Sequence, residues 1–397
     1  MTRMDSPPAA HTARSFAPTA LMLGNFVTGC SVLAPAGMLV ELSGELGVSI
    51  PEAGLLITWG AVILCIASPV TAWLTSRIER RTLLVSTLAV FAITSAASAL
   101  AVSYAMLLAL RLAMLAVGAL YTPQAAGTAG LIVPDEKRGS TIAYIFLGWS
   151  LAAAVGLPLI TFIASRYGWR AVYGSIGLMG CVSFLLLAWR LPGGLVGAPV
   201  DLKTWADVGR NRMILLLLSV TTLQMSGQFV VFTFMGPLLT KLTHAGPDAV
   251  GLVFLIYGVF GFIGIAIATR IVDSWGAYRT SILFTALLLT GVAGWALSAG
   301  IYPLMAGSVA IWGLGFASTN SMQQVRLVTA APRLAPASVS LNTSVLYVGQ
   351  AVGSAIGGVL FARDMLHGAG YVAMGFVALA LMVVLLTRPR PAIAAAG

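Results

Sequence analysis

Thr75-Ser76-Arg77-Ile78-Glu79-Arg80-Arg81 sets three arginines and a glutamate between two apolar runs, each longer than twenty residues. Four charges in seven positions cannot rest in hydrocarbon, so this stretch marks where two helices end in water. Runs of about 20 apolar residues suffice to cross a bilayer, and the chain carries many of them. Its residues are 59% hydrophobic and only 9% charged, against about 25% charged in soluble domains. The chain therefore reads as a polytopic membrane protein. The length of the runs points to helices, since a β-barrel would show short alternating strands.

Working outward from residues 75–81, the apolar runs predict twelve helices: 16–40, 53–75, 82–102, 105–132, 140–165, 170–190, 212–240, 248–270, 280–300, 302–326, 336–361 and 369–387. The longest polar break, 191–211, falls near mid-chain and contains Pro192-Gly193-Gly194. It divides the chain into a tail (1–15), a six-helix bundle (16–190), a linker (191–211), a second bundle (212–387) and a tail (388–397). The first run is longer than the roughly 7–15 residues of a signal-peptide core, and residues 1–15 read as a solvated tail.

The formal charge of +10 is spread over short loops and forms no basic patch, which argues against a nucleic-acid partner. Seventeen Lys and Arg fall on the side of the 75–81 loop, against four on the other (Arg166, Arg170, Lys241 and Arg363), with Arg111 inside a helix. That bias predicts both termini and the linker in the cytoplasm. Cys30, Cys65 and Cys181 lie within predicted helices at no metal-binding spacing and read as small buried hydrophobes. No metal or cofactor is expected.

The two halves echo one another. Residues 76–81 return as Asp273-Ser274-Trp275-Gly276-Ala277-Tyr278-Arg279, and Gly148, Ala152 and Gly156 of the fifth helix, with Pro158 beyond them, are echoed at the same spacing of four by Gly349, Gly353 and Gly357 in the eleventh. A repeat about 200 residues apart is the mark of a two-half transporter. With these motifs in view, the sequence resembles the major facilitator superfamily, and within it the twelve-helix drug/proton antiporters of bacteria. Leu74, Arg77, Arg80 and Arg81 match the family's loop between helices two and three, while Ser76 and Glu79 replace its aspartate and second glycine. Arg111 matches an intramembrane arginine of helix four; Gly148, Gly156 and Pro158 match part of the antiporter motif, whose closing glycines are missing; Gly168-Trp169-Arg170 matches an external turn. The resemblance implies an all-α membrane fold of two six-helix bundles and alternating access around a midplane cavity.

Arg111 is the most informative single residue. A guanidinium at mid-membrane costs about 3 kcal/mol on insertion scales, so it needs a polar cavity or a partner. Two readings stand: a role in solute binding or proton coupling, or an anchor bonded to carbonyls or to nearby Gln and Tyr. None of the twelve acids falls mid-helix, and Glu41, near the outer end of helix one, is the nearest candidate proton carrier in the N-terminal half. Candidate cavity residues are Asn25, Thr28, Ser31, Tyr121 and Gln124 in the first half, and Gln224, Gln228, Asn320, Gln323, Gln324 and Asn342 in the second. Each also reads as an interhelical hydrogen bond. The glycine rows let helices approach closely, either as a hinge between bundles or as ordinary packing. In the loops, Ser76, Arg77, Glu79, Arg80, Arg81, Asp273, Gly276 and Arg279 read as gating residues, or as topology signals that bind anionic lipid.

The expectation is a secondary transporter acting as a monomer, with a small drug-like or sugar-like solute, protons and lipids as its partners. Export with proton coupling stands first and an uncoupled facilitator or importer second. A polytopic enzyme is remote, because no His, Asp, Glu or Cys cluster has catalytic or metal spacing. Neither a nucleotide-binding glycine loop nor a channel-like filter is present.

Overall fold

The computed structural model describes residues 16–75, 77–196 and 202–388. The helix starts follow local chemistry. α1 (Ala17–Leu33) begins with a proline in its first turn, where no N–H is needed. It runs into a 3₁₀ turn, Ala34–Gly37, because Pro35 cannot donate to the carbonyl four residues back. α2 (Leu39–Leu46) carries the chain on beyond this first crossing and closes on Gly47 at φ 65°. α3 (Ile50–Leu74) opens with a reciprocal capping box between Ser49 and Glu52. α4 (Arg80–Ala99) is followed by α5 (Tyr104–Gly118) and α6 (Tyr121–Ile132), which together make the fourth crossing.

α7 (Asp135–Leu151) passes through a π-helical turn, Ala152–Gly156, into α8 (Leu157–Arg190). Pro158 supplies the cause: without an N–H, and with its ring against the preceding turn, it widens the helix just before itself. α8 breaks at Gly168, whose φ of 79° turns the chain back. After α9 (Leu202–Arg210), α10 (Arg212–Phe232) is capped by Asn211, and α11 (Met235–Thr243) closes on His244 at φ 57°. α12 (Pro247–Leu297) breaks at Gly276, φ 77°. α13 (Tyr302–Ala330), α14 (Ala335–Ala362) and α15 (Leu366–Leu386) complete the chain.

There is no β-strand among the described residues. Nine stretches there are long and apolar enough to span a membrane, two of them 50 and 51 residues long. Each of those two is folded at its glycine, and α13, 29 residues long, is more polar but long enough to cross. The architecture is thus consistent with the expected twelve crossings. One predicted loop differs: 271–279 is helix on both sides of Gly276, so Asp273 and Arg279 sit on helix ends around a sharp corner.

α1 packs on α7 and α8, α4 on the second limb of α8, α10 on α14 and α15, and α12 on α13, while α3 lies along α14. The largest apolar cluster draws on both halves, joining Leu33, Met38, Leu56 and Trp169 to Phe232, Phe234, Tyr257 and Trp312. It occupies the end of the molecule carrying Gly47, Gly168 and His244. Toward the opposite end, where Arg77–Arg81 and Gly276 lie, the clusters around Leu88, Leu217 and Phe284 each stay within one half. The interior is closed at one end and divided at the other.

Candidate functional site

Arg111 projects from α5 and is 1% exposed. Its Nη1 donates to the Ser31 carbonyl (2.9 Å), Nη2 to Val32 (2.9 Å) and Nε to Leu56 (2.8 Å). The Ser31 carbonyl is available because the residue four along is Pro35, which has no N–H to give it. Gly60 makes the room: a Cβ there would lie 2.7 Å from Leu115 Cδ1 and 3.4 Å from Arg111 Nε. The guanidinium therefore clips the break in the first crossing to α3, the anchor geometry of the two readings above. The Tyr173 hydroxyl stands beside the guanidinium, close enough to feel its charge.

Most of the polar candidates are drawn together by hydrogen bonds inside their own half. Asn25 donates to the Ile145 carbonyl (3.0 Å) and accepts from Thr122 (2.8 Å), which in turn accepts from Trp149 Nε1 (3.0 Å). Thr28 and Ser31 donate to carbonyls one turn back, and Tyr121 donates to Leu21 (3.3 Å) with its ring filling the space beside Gly24. In the other half Asn342 accepts from Thr221 (2.6 Å) and donates to Asn320 (2.9 Å). Gln224 donates to Thr285 (2.9 Å), Gln228 accepts from Trp312 (3.1 Å) and Gln323 donates to Ser281 (3.3 Å). Gln124 is brought to no such partner among the described residues.

The glycine rows lie inside the halves. A Cβ at Gly148 would sit 2.3 Å from the Met22 carbonyl oxygen, and one at Gly156 would sit 2.5 Å from Cys30 Sγ, so the row seats α7 and the π turn on α1. A Cβ at Gly349, Gly353 or Gly357 would lie 2.3–2.5 Å from the carbonyl oxygen of Thr222, Ser226 or Val230 in turn, so this row seats α14 on α10. Contact between the halves comes from residues outside these glycine rows. Gly258 of α12 abuts the π turn, where a Cβ would fall 2.1 Å from Ala154 Cα. Phe234 lies over Gly54, Thr58 donates to Ser354 (2.9 Å), and Arg166 faces Asp248 at 3.9 Å. Only the spacing of Gly258, Gly261 and Gly264 hinted at a close approach on α12.

In the opening loop, Ser76 lies outside the described residues and Arg77 is exposed. Glu79 accepts from Thr82 (2.6 Å) and from the Gly194 N–H, and these bonds, with Arg81 nearby, hold its carboxyl below the usual range. Arg81 donates to the Ala188 carbonyl. Arg80 is buried; its backbone N–H donates to Leu195 (2.8 Å), while its Nε and Nη1 have no partner among the described residues. Glu79 and Arg81 thereby fasten the loop to the end of α8 and the chain beyond it. Asp273 and Arg279 are exposed, with no ion pair among the described residues. At the closed end Glu41 is partly buried, and burial, opposed by a backbone hydrogen bond and reinforced by Glu45, raises its carboxyl. Glu45 pairs with Arg170, whose guanidinium lies over the Trp169 ring and also donates to Ala101 (3.2 Å).

Comparison with known proteins agrees with this geometry. The inner membrane transport protein YdhP of Escherichia coli (strain K12) is 28% identical over 379 residues, covering 94% of this chain and 96% of its own. A probable sugar efflux transporter of Mannheimia succiniciproducens is 26% identical over 352 residues, covering 87% of each. The crystal structure of a D-xylose–proton symporter superposes with a TM-score of 0.77 at 15% identity, over 94% of this chain and 98% of that one, a likeness of fold. The sequence profile of the Major Facilitator Superfamily matches residues 21–345 and 217–396. The chain is a multi-pass membrane transporter and belongs to the Major Facilitator Superfamily.

Proposed function

We propose that the protein exports a small organic solute by alternating access between an N-terminal half (16–190) and a C-terminal half (212–387), coupled to protons. The observation that carries this reading is the one-ended closure. Thr58 with Ser354, Phe234 over Gly54 and Gly258 on the π turn join the halves, α3 and α14 carry the seam inward from the closed end, and toward the other end the apolar clusters keep to their own half. Such an arrangement suits two bodies that rock about a central cavity. The excess of Lys and Arg on the divided side supports placing that side, both termini and the linker in the cytoplasm. Export draws support from the relatives named for sugar efflux.

For coupling, Glu41 is the candidate carrier, since its raised carboxyl exchanges a proton nearer neutrality than an ordinary glutamate. The test is flux in liposomes, with and without an imposed pH gradient, for D-xylose, lactose, benzoate and ethidium. Gradient-driven flux of at least one solute, made gradient-independent by Glu41→Gln, is the expected result. Flux in the wild type that ignores the gradient sinks the coupling and leaves a facilitator; movement of none of the four sinks the exporter reading.

A further inference from the structure

The amides bonded inside each half have little left to offer a solute. Four other side chains keep their hydrogen-bonding groups unspent: Gln124 on α6, Gln324 on α13, and Tyr347 and Gln350 on α14 have no side-chain hydrogen bond among the described residues. Gln124 and Gln350 are only 7% and 3% exposed. Yet their amide atoms are not sealed, unlike Oε1 of Gln224 and of Gln323. A buried, unpaired amide is costly, and a bound polar solute would return that cost.

Position ties Tyr347 and Gln350 to the seam between the halves. The glycines Gly148 and Gly349, and Gly156 and Gly357, register the two halves at a separation of 201 residues. In that register Gln350 is the counterpart of Trp149. Counterparts face a shared two-fold axis alike, so Trp149 and Gln350 take matching places in the two halves. Tyr347 leans across the division onto the first half, packing with Trp149 against Val32, Phe91 and Met114. Gln350 is one turn on from Tyr347, and Ser354, one turn further on the same stripe, bonds Thr58 of α3. The stripe thus continues the seam between halves, from the closed end toward the divided one. Asn320 turns its face of α13 to α14, and Gln324 is one turn along that face.

No charge is free among them, because Arg111 is bound to three carbonyls. We infer that Gln124, Gln324, Tyr347 and Gln350 form the solute-recognition set, and that it takes a neutral polyhydroxylated molecule of monosaccharide or disaccharide size. Amides offer a donor and an acceptor to neighbouring hydroxyls, and the rings of Tyr347 and Trp149 offer flat apolar faces to the C–H side of a sugar. The inference rests on the exporter reading and specifies its solute.

The test uses full-length protein in liposomes, with D-xylose and lactose as neutral probes and ethidium as the cationic one. Wild type is expected to carry a neutral probe and to leave ethidium behind. Gln124→Ala, Gln324→Ala and Gln350→Ala should each raise the KM about tenfold, and Tyr347→Phe about threefold, with Tm unchanged. Gln124→Asn and Gln324→Asn, which keep the amide but retract it, should give intermediate KM values and guard against a folding defect. Competition of wild-type flux by deoxy analogues of the transported sugar reads the same hydrogen bonds without any variant. Gradient-driven ethidium flux without sugar flux overturns the inference and leaves the exporter reading intact; movement of neither probe class, benzoate included, removes both. Unaltered KM in all the alanine variants also overturns it.

Discussion

Arg111 and Pro35 belong to one device. Proline strips a donor from the first crossing and arginine returns three from α5, so the break at Ala34–Gly37 is held in a defined geometry. Removing the guanidinium leaves the Ser31 carbonyl without a donor and takes one bond each from the Val32 and Leu56 carbonyls, which should lower stability by about 2–4 kcal/mol, less whatever the relief from burying a charge returns. Arg111→Lys should fare little better, since one ammonium cannot reach three carbonyls in the same fork. Restoring an N–H at position 35 should compensate in part: Pro35→Ala combined with Arg111→Ala should be more stable than the sum of the singles by about 1 kcal/mol. Thermal unfolding in detergent reads this cycle, and strict additivity would show that the two residues act separately. Glu41 makes the second prediction. Its carboxyl is raised in the fold, so the folded state holds the proton more tightly than the unfolded chain. Its contribution is complete below about pH 4.3 and declines as pH rises through the raised folded value. Glu41→Gln should flatten that decline in a series of Tm measurements from pH 4 to 8, and an unchanged slope would place the pH dependence elsewhere.

At the scale of elements, the two kinds of glycine separate stability from motion. Gly353 faces α10 within its half, and a Cβ there would lie 2.3 Å from the Ser226 carbonyl oxygen. Gly353→Ala should therefore destabilise the protein by about 1–3 kcal/mol through overpacking, read as a lower Tm. Gly258 meets the π turn of the other half, where the same added methyl collides with backbone at 2.1 Å. The halves relieve that collision by parting, so Gly258→Ala should keep its Tm but expose a cysteine placed at Thr58 to an impermeant maleimide from the closed end. Equal loss of Tm in the two variants would erase the distinction. The helices themselves were legible because twenty apolar residues have one use, and the 75–81 loop because charge cannot enter lipid. Gly276 was read as part of a loop, whereas a single positive φ turns the chain without leaving helix on either side. The amides were legible as a set but not as roles. Whether Asn342 serves a solute or Asn320 depends on partners on other helices, such as Thr221, 121 residues away in sequence, and one sequence carries no record of such pairs. Gln124 and Gln324 read the same on paper as Gln224 and Gln323.

For the whole molecule, transport requires that the closed end open, so the contacts that close it must be weak enough to break. Each one is. Arg166 and Asp248 are 3.9 Å apart and largely exposed, a pair of about 0–1 kcal/mol. Thr58 and Ser354 share one neutral hydrogen bond, of about 1 kcal/mol. The larger share is apolar contact around Phe234, Tyr257 and Trp312, which is non-directional and re-forms readily against other apolar surface. Thr58 and Ser354 report on the cycle because their oxygens touch only when this end is shut. In a chain whose Cys30, Cys65 and Cys181 are replaced by serine or alanine, Thr58→Cys with Ser354→Cys should crosslink under mild oxidation and stop solute flux. Reduction should restore it. Asp248→Arg, which sets like charges at the rim, should slow crosslinking several-fold without changing Tm. A saturating solute that binds only the state open at the divided end should accelerate crosslinking by favouring closure here. A crosslinked protein that still carried solute at full rate would mean that this end never opens, and alternating access between these halves would have to be abandoned.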